Sequence, residues 1–173
     1  STNMKESSRA FANYIIERFS ADGVAIFTPE TTKNVLMHAA SFGLSESHRE
    51  YLAKNPHLID KNSLAGRAFI EKKPQISSKV FVDGRIERRW RTLLSIERKT
   101  SIAAFPLLAR EERLGTILVY YEREHVFEKN ELSLLSMLAH YIAISLLNLN
   151  TIAQLANERE KMSSMVASLY DGL

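Results

Sequence analysis

Five histidines, His38, His48, His57, His125 and His140, are the side chains best suited to ligate a metal or move a proton near neutral pH. No two of them lie three or four residues apart, so no helix face offers a paired ligand set and no metal site is expected. His140 falls in an apolar C-terminal run and reads as a partly buried packing residue, whereas His38, inside a β-rich run, is placed to face a pocket. Cysteine is absent, which removes disulfides, thiolate metal sites, a catalytic thiol and a thioether-linked chromophore. The phosphate-cradling, dinucleotide-binding, nucleophile-elbow and H-E-x-x-H motifs are all missing. No catalytic residue is assigned, and the chain does not read as an enzyme.

The remaining chemistry is cationic. Between Arg85 and Lys99 stand Arg85, Arg88, Arg89, Arg91, Arg98 and Lys99 against Glu87 and Glu97. A solvated helix face is the plain reading, and an anion-facing patch is the sharper one. The whole chain carries a formal net charge of +3, too little to imply nucleic acid as a partner.

The elements that would position these groups follow from periodicity. Residues 5–20 place Phe11, Ile15 and Phe19, with Ala12 and Ile16, at helical spacing, and Asp22-Gly23 stops that helix. GVAIFT and VLMHAASF, joined by the turn-rich PETTKN, read as a β-hairpin. Ser45 caps a short helix that ends at Pro56, and Asn62-Ser63 opens another carrying Leu64, Ala68, Phe69 and Ile70. QISSKVFV reads as a strand running to Asp83-Gly84, and residues 86–99 as a helix with Trp90, Leu93, Leu94 and Ile96 at near-helical spacing. TSIAAFPLLAR and TILVYYE, with EERLG as the turn, form a second hairpin in which Pro106 marks a free edge or a bulge. From Glu128 to about Tyr170 there is neither Pro nor Gly, which predicts one helix of about 40 residues.

This order describes an α+β domain with one antiparallel sheet of five or six strands, helices segregated around it, and a long C-terminal helix. Its 173 residues, 45% hydrophobic and 25% charged, suit one globular core. No uninterrupted apolar run reaches the roughly 20 residues that span a bilayer, and the polar N-terminus lacks a secretory signal. Ser1-Thr2-Asn3, ahead of Met4, have the look of an added tail. The chain is expected to be cytoplasmic, with no membrane partner.

Two segments resemble the GAF domain family: NSLAGRAFIEKKPQIS, and TSIAAFPLLAREERLGTILVYYEREHVFEKNELSLLSMLAHYIAISL. The second has a small-residue strand ending in Pro106-Leu107, a turn ending in Gly115, an apolar strand, Phe127 and an acidic-capped helix. The resemblance covers roughly residues 5–150. It implies a regulatory module that binds a small molecule between sheet and covering helices, dimerises through flanking helices, and precedes a histidine kinase, diguanylate cyclase or transcription-activating domain. Two-component signalling is one such setting. No covalent bilin is expected without cysteine, and methionine-sulfoxide-reducing members rely on the same missing residue. A haem-binding member would need an axial ligand such as His38; haem is not favoured, and the cofactor stays unassigned. The cyclic-nucleotide signature is mismatched, since Lys61-Asn62 stand in reversed order and Phe127 is followed by Glu131-Leu132.

If the resemblance holds, the pocket is lined by Ser101, Ala103 and Phe105 from the fourth strand, with Phe69 or Ile70, Phe81, Trp90 and Arg91 from the covering layer. Arg91 or Arg88 would then meet an anionic or carbonyl-bearing ligand. In the last helix Leu134, Tyr141, Asn148, Leu155, Met162 and Leu169 recur every seven residues, with Leu138, Ser145, Ile152, Arg159 and Val166 as companions. That repeat predicts a parallel homodimer, with Asn148 setting the register. The expected interface comprises Leu138, Tyr141, Asn148, Ile152 and Leu155, joined by Phe11, Ile15 and Phe19. Residues 1–150 form the domain on this reading, and 151–173 extend its helix. The stretch from Ser168 to Leu173 is similar to the opening of many PAS domains, and its Asp-x-Leu element to that of many diguanylate cyclases.

Overall fold

The computed structural model describes residues 2–172, with side chains from Met4 onward. In chain order the elements are α1 (Thr2–Phe19), β1 (Gly23–Glu30), β2 (Val35–Phe42), α2 (Glu46–Lys54), β3 (His57–Leu58) and α3 (Leu64–Glu71). There follow β4 (Gln75–Ser77), α4 (Arg88–Ile96), β5 (Ser101–Ala109), β6 (Glu112–Tyr121) and α5 (Lys129–Asp171). Six strands form one sheet in the order β3-β2-β1-β6-β5-β4, and every neighbouring pair is antiparallel. The α+β architecture expected from periodicity is therefore present.

Three local expectations are corrected. QISSKVFV is strand only over Gln75–Ser77; Val80–Val82 turn as a single 3-10 helix, which leaves Phe81 exposed. The second hairpin turns at Arg110-Glu111, with φ of 49° and 66°, and β6 starts at Glu112, so most of EERLG is strand. This left-handed pair shapes the two-residue turn that matches strand twist, without the Asn or Gly that usually announces it. Ile96, expected on the apolar helix face, is 72% exposed at the last turn of α4.

Pro106 sits where its missing N–H costs nothing. β4 pairs with β5 only from Ile102 to Ala104, so that edge of β5 is open beyond Ala104. A bulge follows at once, between Leu107 and Leu108, opposite Gly115. Gly115 holds φ +149°, and a Cβ there would strike the Phe27 carbonyl of β1.

The sheet is covered on both faces. α1 and α5 lie on one, burying Ala12, Ile15, Phe19, Leu135, Ala139 and Ile142 against alternate residues of β1, β5 and β6. α2, α3 and α4 lie on the other, with Leu52, Leu64, Trp90 and Leu94 against Phe27, Ile102, Leu118 and Tyr120. α5 is 43 residues long, about 65 Å at 1.5 Å per residue. Its buried positions end at Leu146, and residues 151–172 are exposed throughout.

One helix, α5, is long and apolar enough by length and composition to cross a bilayer, although it contains no uninterrupted apolar run of that length. It holds an 18-residue window with a mean hydropathy of 1.7 and at most two charged side chains. A search for an unbroken apolar run misses it, because Ser, Asn and Thr interrupt the run without adding charge. Five residues of the helix, from Leu135 to Leu146, pack into this domain's core, a role a membrane-spanning helix could not fill at the same time.

Candidate functional site

The covering layer on the α2–α4 face is built from three short helices, each capped for its place. Ser45 caps α2, its Oγ accepting from the His48 amide at 3.1 Å, and Ser63 caps α3, accepting from Gly66 at 3.0 Å. His48 and Leu52, one helical turn apart, then point inward together. Pro56 stops further helix, and His57 pairs with Leu36 at the sheet edge. Gly66 lets α3 press on this edge, since a Cβ there would lie 2.8 Å from the Leu58 carbonyl and closer still to that of Asp60. Thr116 Oγ1 donates to the Ala65 carbonyl at 3.1 Å and ties α3 to β6. From α4, Trp90, Leu93 and Leu94 complete the wall.

These side chains enclose a cavity of about 30 Å³ above Ile102, Leu118 and Tyr120. That is room for about two water molecules, each needing roughly 10–15 Å³ of such space. Its walls are apolar except for His48, His57, Ser63 and Tyr120. His57 stacks on Trp90 with ring centroids 3.9 Å apart, and meets Phe27 edge-on at 4.8 Å. His48 lies edge-on to Tyr120 at 5.2 Å. His48 is 0% and His57 4% exposed, and all four of their ring nitrogens are buried without a hydrogen-bond partner among the described residues. Burial pushes His48 down to about 4, with Glu97 pulling up and Lys99 down. Burial, reinforced by Arg89, pushes His57 down to about 3. Both imidazoles are therefore neutral near pH 7, each offering one donor and one acceptor. The Tyr120 phenol is held far above its ordinary range by burial.

The seam above the cavity is clasped. Ser45 Oγ and Ser47 Oγ donate to the two carboxylate oxygens of Glu97 at 2.8 and 2.7 Å, joining the start of α2 to the end of α4. Burial pushes the Glu97 carboxyl up, and these two bonds together with His48 and Lys99 outweigh it, so its net shift is downward. Outside the seam a groove of about 670 Å³ runs between Tyr51, Arg88, Arg89 and Leu93. Leu93 lines both spaces, so it is the side chain that separates groove from cavity.

The expected pocket residues are only partly brought together. Trp90 lines the cavity; Phe69 lies in the same layer but away from it, beneath the Arg113 guanidinium at 5.0 Å. Ile70 is half-buried on α3, and Phe81 is exposed. Ala103 and Phe105 belong to the α1–α5 core. Ser101 Oγ is occupied, donating to Ser78 at 2.6 Å and accepting from the His125 amide. The cause is strand parity: a shift of one residue exchanges faces, and Ile102 and Ala104 are the pair turned to the α2–α4 layer. Small residues stand at both parities of β5, so side-chain size could not decide between them. Arg88 lies in the outer groove; Arg91 is half-buried, with its Nε enclosed and unpartnered, outside the cavity lining. His48, His57 and Tyr120 escaped a search by motif spacing, because chain segments far apart in sequence bring them together. The available signal was a histidine on the inward face of each capped or Pro-stopped segment.

The other expected positions separate as well. Ile15 and Phe19 are buried against their own sheet, which removes them from any surface a second copy could touch. Phe11 is half-buried and stacks on Tyr141, with centroids 6.5 Å apart. Leu138 is half-buried, whereas Tyr141, Asn148, Ile152 and Leu155 are exposed. His140 is exposed rather than packed, and its Nδ1 lies 2.8 Å from the Leu108 carbonyl. His38 is half-buried beside the ring of Phe27, 6.0 Å away, and lines a groove shared with α5. Among the described residues, no group of three or more His, Asp or Glu is placed to hold a metal ion.

Comparison with known proteins gives this geometry a family. A search of curated protein sequences returns no match. Among solved structures, the chain is similar to the GAF domain of a phosphoenolpyruvate-protein phosphotransferase from Coxiella burnetii, at 16% identity and a TM-score of 0.75, covering 89% of this chain and 88% of that one. It is similar to a GAF domain/HD domain protein from Geobacter sulfurreducens, at 15% identity and a TM-score of 0.74, covering 86% and 95%. It is also similar to a type II free methionine-R-sulfoxide reductase from Thermoplasma acidophilum, at 17% identity and a TM-score of 0.66, covering 83% and 92%. At such identities these likenesses speak for the fold, which hosts both regulatory domains and enzymes. A family profile described as the GAF domain matches residues 1–146, and the chain belongs to the GAF domain family.

Proposed function

We infer that this GAF domain is a non-catalytic sensory or regulatory module of a cytoplasmic signalling protein. A small molecule enters between the sheet and the α2–α4 layer, and α5 relays the change to an output domain such as a histidine kinase, diguanylate cyclase or transcription activator. The observation that supports this most is the cavity. The four imidazole nitrogens have no protein partner among the described residues, and leaving any of them without water or a ligand would cost roughly 1–3 kcal/mol. A ligand with matching groups offsets that cost, and its differential affinity for two packings of the layer is what would shift them.

The output side rests on α5. Its heptad positions Tyr141, Ile152, Leu155, Met162, Val166 and Leu169 are all exposed. An apolar stripe on a helix that outruns its own domain calls for a covering partner, and a second copy in parallel supplies the same stripe. Asn148, exposed at its heptad position, would pair across that axis and set the register. Phe11, beside Tyr141, extends the surface. Sedimentation equilibrium at micromolar concentration tests the pairing: a dimer is expected for the native chain and a folded monomer for Leu155→Glu, and a monomeric native chain contradicts it. The small cavity favours a second reading, a ligand-free dimerisation and relay module, which ligand titration separates from the first.

A further inference from the structure

The polar groups around the cavity specify what it would accept. Two neutral imidazoles and one phenol present three N–H or O–H donors together with lone pairs on two nitrogens and one oxygen. A cation offers donors only, and burial disfavours positive charge at both histidines, with Arg89 adding to it at His57, although Glu97 outweighs Lys99 in the other direction at His48. A carboxylate or phosphate offers acceptors only, so both imidazole lone pairs would stay unmatched unless the rings took up protons. Burial opposes that uptake strongly, and desolvating the anion adds to the cost. A purely apolar guest leaves every donor and acceptor orphaned. What remains is an uncharged molecule carrying donors and acceptors on one edge. The walls add shape: the rings of Trp90, His57, His48 and Tyr120 border the space, which favours a flat guest over a branched one.

We propose that the cavity, which as it stands has room for only about two waters, widens into the outer groove when Leu93 moves and then takes an uncharged nitrogen heterocycle that exchanges hydrogen bonds with His48, His57 and Tyr120. Access is through the α2–α4 seam when the Ser45 and Ser47 contacts to Glu97 open and Leu93 swings aside. The proposal rests on the reading of this cavity as the ligand site and adds the ligand's chemical class.

Isothermal titration of the full chain with three probes of similar size tests it. Uracil is flat, neutral and carries both donors and acceptors; toluene is flat and apolar; benzoate is flat and anionic. Uracil is expected to bind at least tenfold more tightly than either of the others. That affinity should fall at least tenfold in His57→Phe and in His48→Phe, each checked for native circular dichroism, while His140→Ala leaves it unchanged. Should a substituted chain not fold, chemical-shift changes at the two ring-nitrogen sites of the native chain read the same contact. Preferential binding of toluene or benzoate at these histidines overturns the ligand class and leaves the cavity as the site. Uracil binding that survives both histidine changes places the probe elsewhere and overturns the proposal. No binding by any probe, up to millimolar concentration, overturns the reading of the cavity as a ligand site and the proposal with it.

Discussion

The two faces of the sheet are covered to a similar depth but by opposite chemistry. On the α1–α5 face the buried set is almost wholly aliphatic and aromatic, and the phenol of Tyr121 donates to Glu131 at 3.1 Å. On the α2–α4 face two histidines are sealed in with their polar atoms unmatched. The first arrangement is what stability alone requires. The second leaves polar groups that only water or a guest can meet, which is common where a surface is kept for binding. Under the proposed function, one face is the scaffold that carries α5 and the other is the sensor.

Acid should separate the faces most strongly. An unfolded histidine titrates near 6.5, whereas His48 and His57 in the fold are pushed down to about 4 and about 3. The unfolded chain therefore binds more protons across that window. The stability these groups contribute is present above about pH 6.5 and is lost as pH falls towards 3, at roughly 1.4 kcal/mol per pH unit for each histidine. Urea midpoints measured between pH 7 and pH 4 should fall accordingly, and the double substitution His48→Phe with His57→Phe should flatten that slope. An unchanged slope would mean that carboxylates elsewhere carry it.

Truncation should then act with opposite sign on the two faces. Ile142→Ala removes a fully buried residue of the apolar face and is expected to cost roughly 2–5 kcal/mol by denaturant titration. His57→Phe replaces an unmatched imidazole by a ring of similar size, and is expected to lie within about 1 kcal/mol of neutral or to stabilise at pH 7. A large loss in His57→Phe would show that the imidazole is matched in solution.

How far the sequence discloses this division can be traced residue by residue. α1, both hairpins and α5 are legible, because their apolar spacing repeats over many residues and a local error averages out. The parity of β5 is not. Ala103 and Ala104 are alike in size, and which one faces the sensor is decided by pairing with β6 and by the bulge beside Gly115, both non-local. The site is still less legible: His48, His57 and Tyr120 come from α2, β3 and β6, and only the sheet order brings them together. Trp90 is legible, because a large apolar ring on the covering helix supplies area to whatever the layer encloses.

Two smaller effects are expected at the shared strands and at the seam. Replacing Arg110-Glu111 by Asn-Gly relieves two left-handed residues in the β5–β6 turn and should add about 1–2 kcal/mol by thermal or denaturant unfolding. Both faces share those strands, so the acid slope should be unaltered. Glu97→Gln weakens the clasp over the seam at a cost of about 1 kcal/mol or less. Amide exchange should quicken in α2 while staying unchanged in α5 between Leu135 and Leu146, if the covering layer moves independently of the scaffold.

Burial of two neutral imidazoles without protein partners on the α2–α4 face is visible in long-range proton–nitrogen correlation spectra of the histidine rings in the native chain. At pH 6 two rings, assigned to His48 and His57 by substitution, are expected to be neutral and not to titrate until well below pH 5. Imidazolium signals from either ring at pH 6, with an ordinary titration midpoint, would contradict that burial.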